Sequence, residues 1–166
     1  MIARLTGGLL FLAGFTALFI AYWAEHILGY APCELCLIER APWRIVAFLG
    51  VIALLIPGMV GFWATVLSLP ALAAAVMLAG LHNGVEQKWW ESPLPACHAP
   101  VFHAGSSFRE RLASMPMRPA KPCDDPTYLF HLPVSMTVLG GIAAALLFIV
   151  ISYSVVLQAR RWHAAR

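Results

Sequence analysis

Four cysteines carry most of the chemistry that this chain offers. Cys33 and Cys36 form a C-x-x-C pair, and Cys97 and Cys123 lie further along the chain. None of the four falls inside a long apolar stretch, whereas cysteines used as small core residues would be scattered through such stretches. Cysteines paired in connecting segments are typical of thiol–disulfide exchange, in which a thiolate attacks a disulfide sulfur.

The C-x-x-C pair lies in a setting that favours reactivity. A step of three residues brings the sulfurs of Cys33 and Cys36 together if a helix begins here, and Pro32 fits an extended or turn geometry just before that helix. Arg40 follows Cys36 by four residues and shares its helical face. Its guanidinium would stabilise a Cys36 thiolate or an anionic ligand beside it, unless Glu39 neutralises the arginine.

A static disulfide or half of a zinc site is the alternative interpretation of C-x-x-C. Cys97, His98 and Cys123 could complete a zinc site, but Cys97 and Cys123 are too far apart in sequence for a zinc-binding pair. We therefore expect no bound metal. Cys97 and Cys123 belong to a proline-rich segment predicted to be exposed, where a disulfide would be either a staple or an accessible site for exchange.

The composition predicts a membrane protein. Of the 166 residues, 61% are hydrophobic and 11% are charged, against about 25% charged in soluble domains. Lipid must therefore cover much of the surface. A net charge of +3 without a basic run excludes an electrostatic footprint for nucleic acid.

Four stretches are near the roughly 20 apolar residues that cross a bilayer. They cover residues 7–28, 41–57, 62–81 and 132–157, which predicts an all-α integral membrane protein, a four-transmembrane-helix bundle forming one domain over residues 1–166. The first stretch is longer than the core of a signal peptide, so we expect it to be retained as a helix.

An even number of spans places both chain ends on one side of the membrane and both cysteine-bearing loops, residues 29–40 and 82–131, on the other. Basic residues flank the ends but also occur in the long loop, so they do not settle the orientation. Stable disulfides favour an oxidising compartment such as the bacterial periplasm. In the long loop, Ser107 and Glu110 form a capping-box pattern. Phe108, Leu112 and Met115 then predict a short amphipathic helix, lying on the bilayer or packed on the protein itself.

The run Pro32-Cys-x-x-Cys-x-x-Glu-Arg40 at the head of the second span resembles the DsbB family of membrane oxidases. The likeness extends to four spans, a short first outer loop, and a long second outer loop with two more cysteines. It implies a protein-disulfide:quinone oxidoreductase of the bacterial inner membrane with its active cysteines on the periplasmic side. Such an enzyme reoxidises a DsbA-like thioredoxin-fold partner and passes the electrons to ubiquinone or menaquinone.

The resemblance also implies individual roles. Cys97 is similar to the cysteine that the reduced partner attacks, and Cys123 to its mate, which can pair with Cys33 across the loops. Cys36 is similar to the cysteine whose thiolate contacts the quinone ring.

The quinone site is implied in the same way. Arg40 is similar to the arginine at the quinone, and Met136 to a methionine that lines the ring. The family also has a histidine after its third span, for which His82 is a candidate without a clear register. Glu25 and His26 receive no role.

Two other hypotheses remain at this point. A vitamin K epoxide reductase-like enzyme is also a four-span thiol–quinone protein, but its C-x-x-C usually lies late in the chain. A non-enzymatic membrane protein with structural disulfides would require neither Arg40 beside the C-x-x-C nor a bound quinone.

Overall fold

The computed structural model describes residues 2–94, 97, 107–109, 121–129 and 133–164. Four long helices account for most of them: α1 (Ile2–His26), α2 (Glu34–Leu55), α3 (Met59–Glu86) and α4 (Met136–Ala164). The described part contains no strand, only an isolated bridge between Tyr128 and Ser135. The prediction of an all-helical fold is confirmed for these residues.

Three of the helices are long and apolar enough to cross a membrane: α1, α3 and α4. The second helix, α2, is also long but carries Glu34, Glu39, Arg40 and Arg44 in its first half. These charges lower its mean hydropathy, because they replace apolar residues over about three turns. The composition of the helices therefore supports three of the four predicted spans. The remaining predicted span, residues 41–57, is part of α2, a helix of 22 residues.

The helices are longer than the apolar stretches that predicted them. α2 begins seven residues before the predicted span at Ala41, so that Cys36 and Arg40 are helical. α3 continues five residues beyond Leu81 and brings His82 and Glu86 into its last turns. Both additional stretches contain ionisable side chains that find partners inside the protein, and these lower the hydropathy there: Glu39 and Arg40 in α2, and His82 and Glu86 in α3.

Consecutive helices pack against each other, α1 on α2, α2 on α3 and α3 on α4, whereas α1 and α4 touch only sparsely. Glycines permit the closest approach, between α1 and α2. A Cβ atom on Gly50 would meet the backbone of Phe11, and one on Gly7 would meet the backbone of Ala53. Small residues at such crossings are typical of helix packing in membranes. The result is a bundle with a cleft between its first and last helices.

The bundle interior is apolar, and so is much of its outside. Leu10, Val46, Leu72 and Ile151 are fully buried in the central cluster. Large hydrophobic side chains on all four helices remain exposed to the surroundings. An outer surface of this kind suits lipid and would be unfavourable in water.

The predicted amphipathic helix of the long loop lies mostly outside the described residues. Only Ser107, Phe108 and Arg109 of that segment are described, and all three are exposed. The helix remains a prediction.

Candidate functional site

The C-x-x-C pair caps the N-terminus of α2. Cys33 is the N-cap residue in an extended conformation, and its sulfur accepts a hydrogen bond from the backbone N–H of Cys36 at 3.2 Å. The two sulfurs, both free thiols, lie 2.6 Å apart. A disulfide requires about 2.05 Å, so the pair can close with a small movement of two side chains.

The same contact makes the two thiols unequal. The hydrogen bond between the sulfurs lowers the pKa of Cys36 to about 7, with a further contribution from the nearby His82. The same hydrogen bond, together with burial, raises the pKa of Cys33. When the pair is reduced, Cys36 therefore carries the thiolate and Cys33 holds the proton, since a donor is needed to stabilise the anion.

Cys97 and Cys123 form a disulfide. Both are almost completely buried, Cys97 at 4% and Cys123 at 1% exposure, so the expectation of an exposed pair is wrong. The reason is packing, because the disulfide lies in one apolar cluster with Cys33, Leu35 and Val85, and Cys36 packs against that cluster. All four cysteines thus meet at one end of the bundle, and His98 lies outside the described residues.

Arg40 is buried on α2, at 7% exposure. Its Nη1 donates to a carboxylate oxygen of Glu25 on α1 at 2.6 Å, and its guanidinium lies over the ring of Tyr22. Glu25, not Glu39, is therefore the partner that neutralises the arginine. The Nε of Arg40 has no hydrogen-bond partner among the described residues. A buried donor of this kind is costly unless another group accepts its hydrogen bond.

The link expected between Arg40 and the Cys36 thiolate stays a prediction. The pKa of Cys36 is lowered first by the hydrogen bond with Cys33, with His82 as a further favourable influence. The Glu25 carboxylate beside Arg40 opposes the positive charge that the arginine would project toward the thiolate.

His82 is the main residue that the sequence could not assign. It is 2% exposed, its Nδ1 lies 2.9 Å from a carboxylate oxygen of Glu39, and its Nε2 lies 3.5 Å from the sulfur of Cys33. Thr137 on α4 approaches the same Nδ1 at 3.2 Å. The side chain therefore links the C-x-x-C pair to α3 and α4.

Glu86 extends this network one turn further along α3. It accepts hydrogen bonds from the hydroxyl of Ser135 at 2.6 Å and from the hydroxyl of Thr137 at 2.8 Å. The i, i+4 spacing of His82 and Glu86 was a signal for a shared polar face. It was missed because the apolar stretch ends just before it.

A cavity of about 580 Å³ lies beside these groups. Its polar end is formed by Cys33, Cys36, Arg40 and His82, and its apolar walls come mainly from α1 and α4. Met136, the first residue of α4, also lines it. Cavities that accept small organic molecules combine apolar walls with a few converging polar groups in this way. Of the predicted site residues, Cys33, Cys36, Arg40 and Met136 thus share one cavity.

Comparisons with known proteins agree on a family. The family model described as "Disulfide bond formation protein DsbB" matches residues 3–154 of this chain. A curated relative, "Disulfide bond formation protein B" of Marinobacter nauticus, is 35% identical over 101 residues. That match covers 61% of this chain and 58% of the relative, so it spans somewhat over half of the relative's length.

No solved structure matches the chain. The family model, by contrast, spans nearly the whole bundle, including the C-x-x-C pair at the head of α2 and both loop cysteines. The chain therefore belongs to the DsbB family of membrane proteins of disulfide bond formation.

Proposed function

We propose that this protein is a protein-disulfide:quinone oxidoreductase of the bacterial inner membrane. It takes two electrons from a reduced, DsbA-like thioredoxin-fold protein on the periplasmic side and passes them to a membrane quinone, ubiquinone or menaquinone. The observation that carries the proposal is the position of Cys33. It packs in one cluster with the Cys97–Cys123 disulfide and also lines the cavity that holds Cys36 and Arg40.

The exchange steps use only the two thiols of the partner and the four cysteines of this chain. A partner thiolate attacks the sulfur of Cys97, which breaks the Cys97–Cys123 bond and leaves a Cys123 thiolate. That thiolate attacks Cys33 of the oxidised Cys33–Cys36 pair and releases Cys36 as a thiolate. The partner's second thiol then displaces Cys97, and Cys97 displaces Cys33 from Cys123. The partner leaves oxidised, and the C-x-x-C pair is left reduced.

Burial of the Cys97–Cys123 disulfide adds a requirement to the first step. An attacking thiolate must approach along the S–S axis, and both cysteines are almost completely buried. The partner's approach therefore has to displace some of the residues that cover the disulfide. This protects the disulfide from small thiols, while a docked protein can supply the interactions that open it.

The cavity suits a quinone in chemistry and in place. A bound quinone supplies a two-electron acceptor at the membrane end of the relay. Arg40 lines the cavity, and its guanidinium would donate a hydrogen bond to a carbonyl oxygen. Cys36, as a thiolate near neutral pH, is the electron-rich group on the same cavity. The apolar walls from α1 and α4 would hold an isoprenoid tail, and the cleft between these helices gives access from the bilayer.

We further propose that α2 also crosses the membrane, which brings the number of spans to four. It packs between α1 and α3, both of which are apolar and long enough to span, and its 22 residues extend about 33 Å at 1.5 Å per residue. Its buried charge is paired with Glu25, so lipid does not have to solvate it. Four spans put both termini on one side of the membrane and all four cysteines on the other, with Cys36 in the first turn of α2. We place the cysteines in the periplasm, where disulfides are stable.

Bound quinone tests this function directly. The protein purified from membranes should contain a quinone, identified by extraction and mass spectrometry, and show a visible absorption band when Cys36 is a thiolate. Cys36→Ala should abolish the band while retaining quinone, and Arg44→Met should change neither. Protein free of quinone, and unable to reduce added quinone with a dithiol, would instead support a non-enzymatic membrane protein.

A further inference from the structure

Three metal-binding side chains meet where the redox pair faces the cavity. The sulfurs of Cys33 and Cys36 and a ring nitrogen of His82 all lie within 4.8 Å of one another. We propose that, when the C-x-x-C pair is reduced, these three residues bind a divalent zinc ion that holds the enzyme in its reduced form. This site goes beyond the proposed electron transfer, which uses no metal.

The separations approach those of a tetrahedral zinc site. With Zn–S near 2.3 Å and Zn–N near 2.0–2.1 Å, such a site puts nitrogen about 3.6 Å from sulfur and the two sulfurs about 3.8 Å apart. The Nε2 of His82 is 3.5 Å from the sulfur of Cys33, which already fits. The two sulfurs must separate from 2.6 Å, which rotation of Cys36 about its Cα–Cβ bond provides. All three residues line the cavity, so water there could occupy the fourth position.

The hydrogen bonds around His82 orient its ring so that it can act as a metal ligand. Its Nδ1 faces two acceptors, the carboxylate of Glu39 and the hydroxyl oxygen of Thr137, whose own proton is donated to Glu86. Nδ1 therefore carries a hydrogen, and in the neutral ring the lone pair is on Nε2, which points at the thiols. A carboxylate on the second nitrogen of a ligating histidine orients the ring and strengthens the ligand.

This site differs from the zinc site considered in the sequence analysis, in which Cys97, His98 and Cys123 supplied the further ligands. The third ligand comes from the end of α3 and not from the loop around Cys97. Because a disulfide cannot serve as two thiolate ligands, binding depends on the redox state of the pair. Zinc bound here would engage both thiolates and release their protons, so the pair could not re-form its disulfide by passing its electrons to a quinone. The inferred consequence is metal-dependent inhibition of the reduced enzyme.

The test uses full-length protein in detergent with Cys97→Ser and Cys123→Ser, which leaves one pair of thiols. After reduction with a phosphine that does not bind metal, Zn²⁺ is titrated in competition with a chromophoric chelator, and Co²⁺ is added separately for its thiolate-to-metal absorption. We expect one zinc per protein, with no binding after the pair is oxidised. Affinity should fall at least tenfold in His82→Asn and about 10- to 100-fold in Glu39→Gln, a residue that positions the histidine. His26→Asn, a change at an exposed histidine of α1, is the matched control and should bind as tightly as the parent.

If His82→Asn does not fold, X-ray absorption at the zinc edge identifies the ligand atoms in the parent protein. The parent protein should show two sulfur ligands and at least one imidazole nitrogen. Equal zinc affinity in the oxidised and reduced proteins would overturn the proposal. So would a well-folded His82→Asn variant that binds zinc as tightly as the parent, or a zinc shell without imidazole.

Discussion

Replacing Arg40 tests whether its guanidinium is a hydrogen-bond donor for the quinone. Arg40→Met keeps an unbranched side chain of similar reach but removes every hydrogen-bond donor. Arg44→Met is the matched control on the same helix, because Arg44 is exposed, donates to the hydroxyl of Tyr22, and does not line the cavity.

The magnitude follows from the contact that would be lost. A hydrogen bond to a charged group is worth about 1.5–3 kcal/mol when its partner is left unpaired. At about 1.4 kcal/mol per factor of ten, this predicts a 10- to 100-fold rise in the Michaelis constant for quinone. Arg44→Met should change that constant less than about twofold.

Stability must be measured beside affinity, because Arg40→Met also removes the partner of Glu25. Breaking a fully buried pair costs about 3–5 kcal/mol. The Glu25 side chain is 26% exposed, so water can solvate part of the carboxylate and the cost should be smaller. The double variant Arg40→Met with Glu25→Gln should recover stability without recovering quinone affinity.

The assay is steady-state quinone reduction by the purified protein with a reduced thioredoxin-fold partner, at several quinone concentrations. An unchanged Michaelis constant in a folded Arg40→Met variant, or equal effects of Arg40→Met and Arg44→Met, would refute the assignment of Arg40. Arg40→Met should also leave the pKa of Cys36 nearly unchanged, since Cys33 is its main determinant.

Three further predictions concern the cysteines. The rate of quinone reduction should rise between about pH 6 and pH 8 as Cys36, with a pKa of about 7, loses its proton. Cys33→Ala should move the pKa of Cys36 toward the ordinary value near 8.5. A Cys36 pKa that does not respond to Cys33→Ala would contradict the account. Cys97→Ser should abolish the mixed disulfide with the partner but leave quinone reduction by an artificial dithiol, whereas Cys36→Ser should stop the latter; equal loss of both half-reactions in each folded variant would argue against this division. In intact cells under reducing conditions, local unfolding on the outer face should expose Cys97 and Cys123 to an impermeant thiol reagent. Labelling that occurs only after the membrane is opened would contradict the proposed topology.

The part of the site that was predictable lies on one short run of sequence. The cysteines and Arg40 follow each other at helical spacing, so their shared face required only that a helix begin near Cys33. The family motif then supplied chemistry that spacing alone does not specify. Their joint presence at the cavity followed from local geometry.

The rest depended on contacts between distant parts of the chain. Glu25 neutralises Arg40 from another helix, and neither residue's neighbours in sequence indicate that pairing. His82 and Glu86 belong to α3 because Glu39, Ser135 and Thr137 satisfy them, whereas hydropathy ends the span at Leu81. The burial of the Cys97–Cys123 disulfide has the same origin, since it depends on packing against Cys33 and Val85 and not on its proline-rich surroundings.

The relay through the four cysteines is tested most directly by counting electrons in a single turnover. Purified protein in lipid, loaded with quinone, is mixed with a limiting amount of reduced thioredoxin-fold partner, and partner disulfide and reduced quinone are both quantified. We predict one reduced quinone for each partner disulfide formed, with quinone reduction lost in Cys36→Ala. Partner oxidation without matching quinone reduction, or full quinone reduction in Cys36→Ala, would contradict the account.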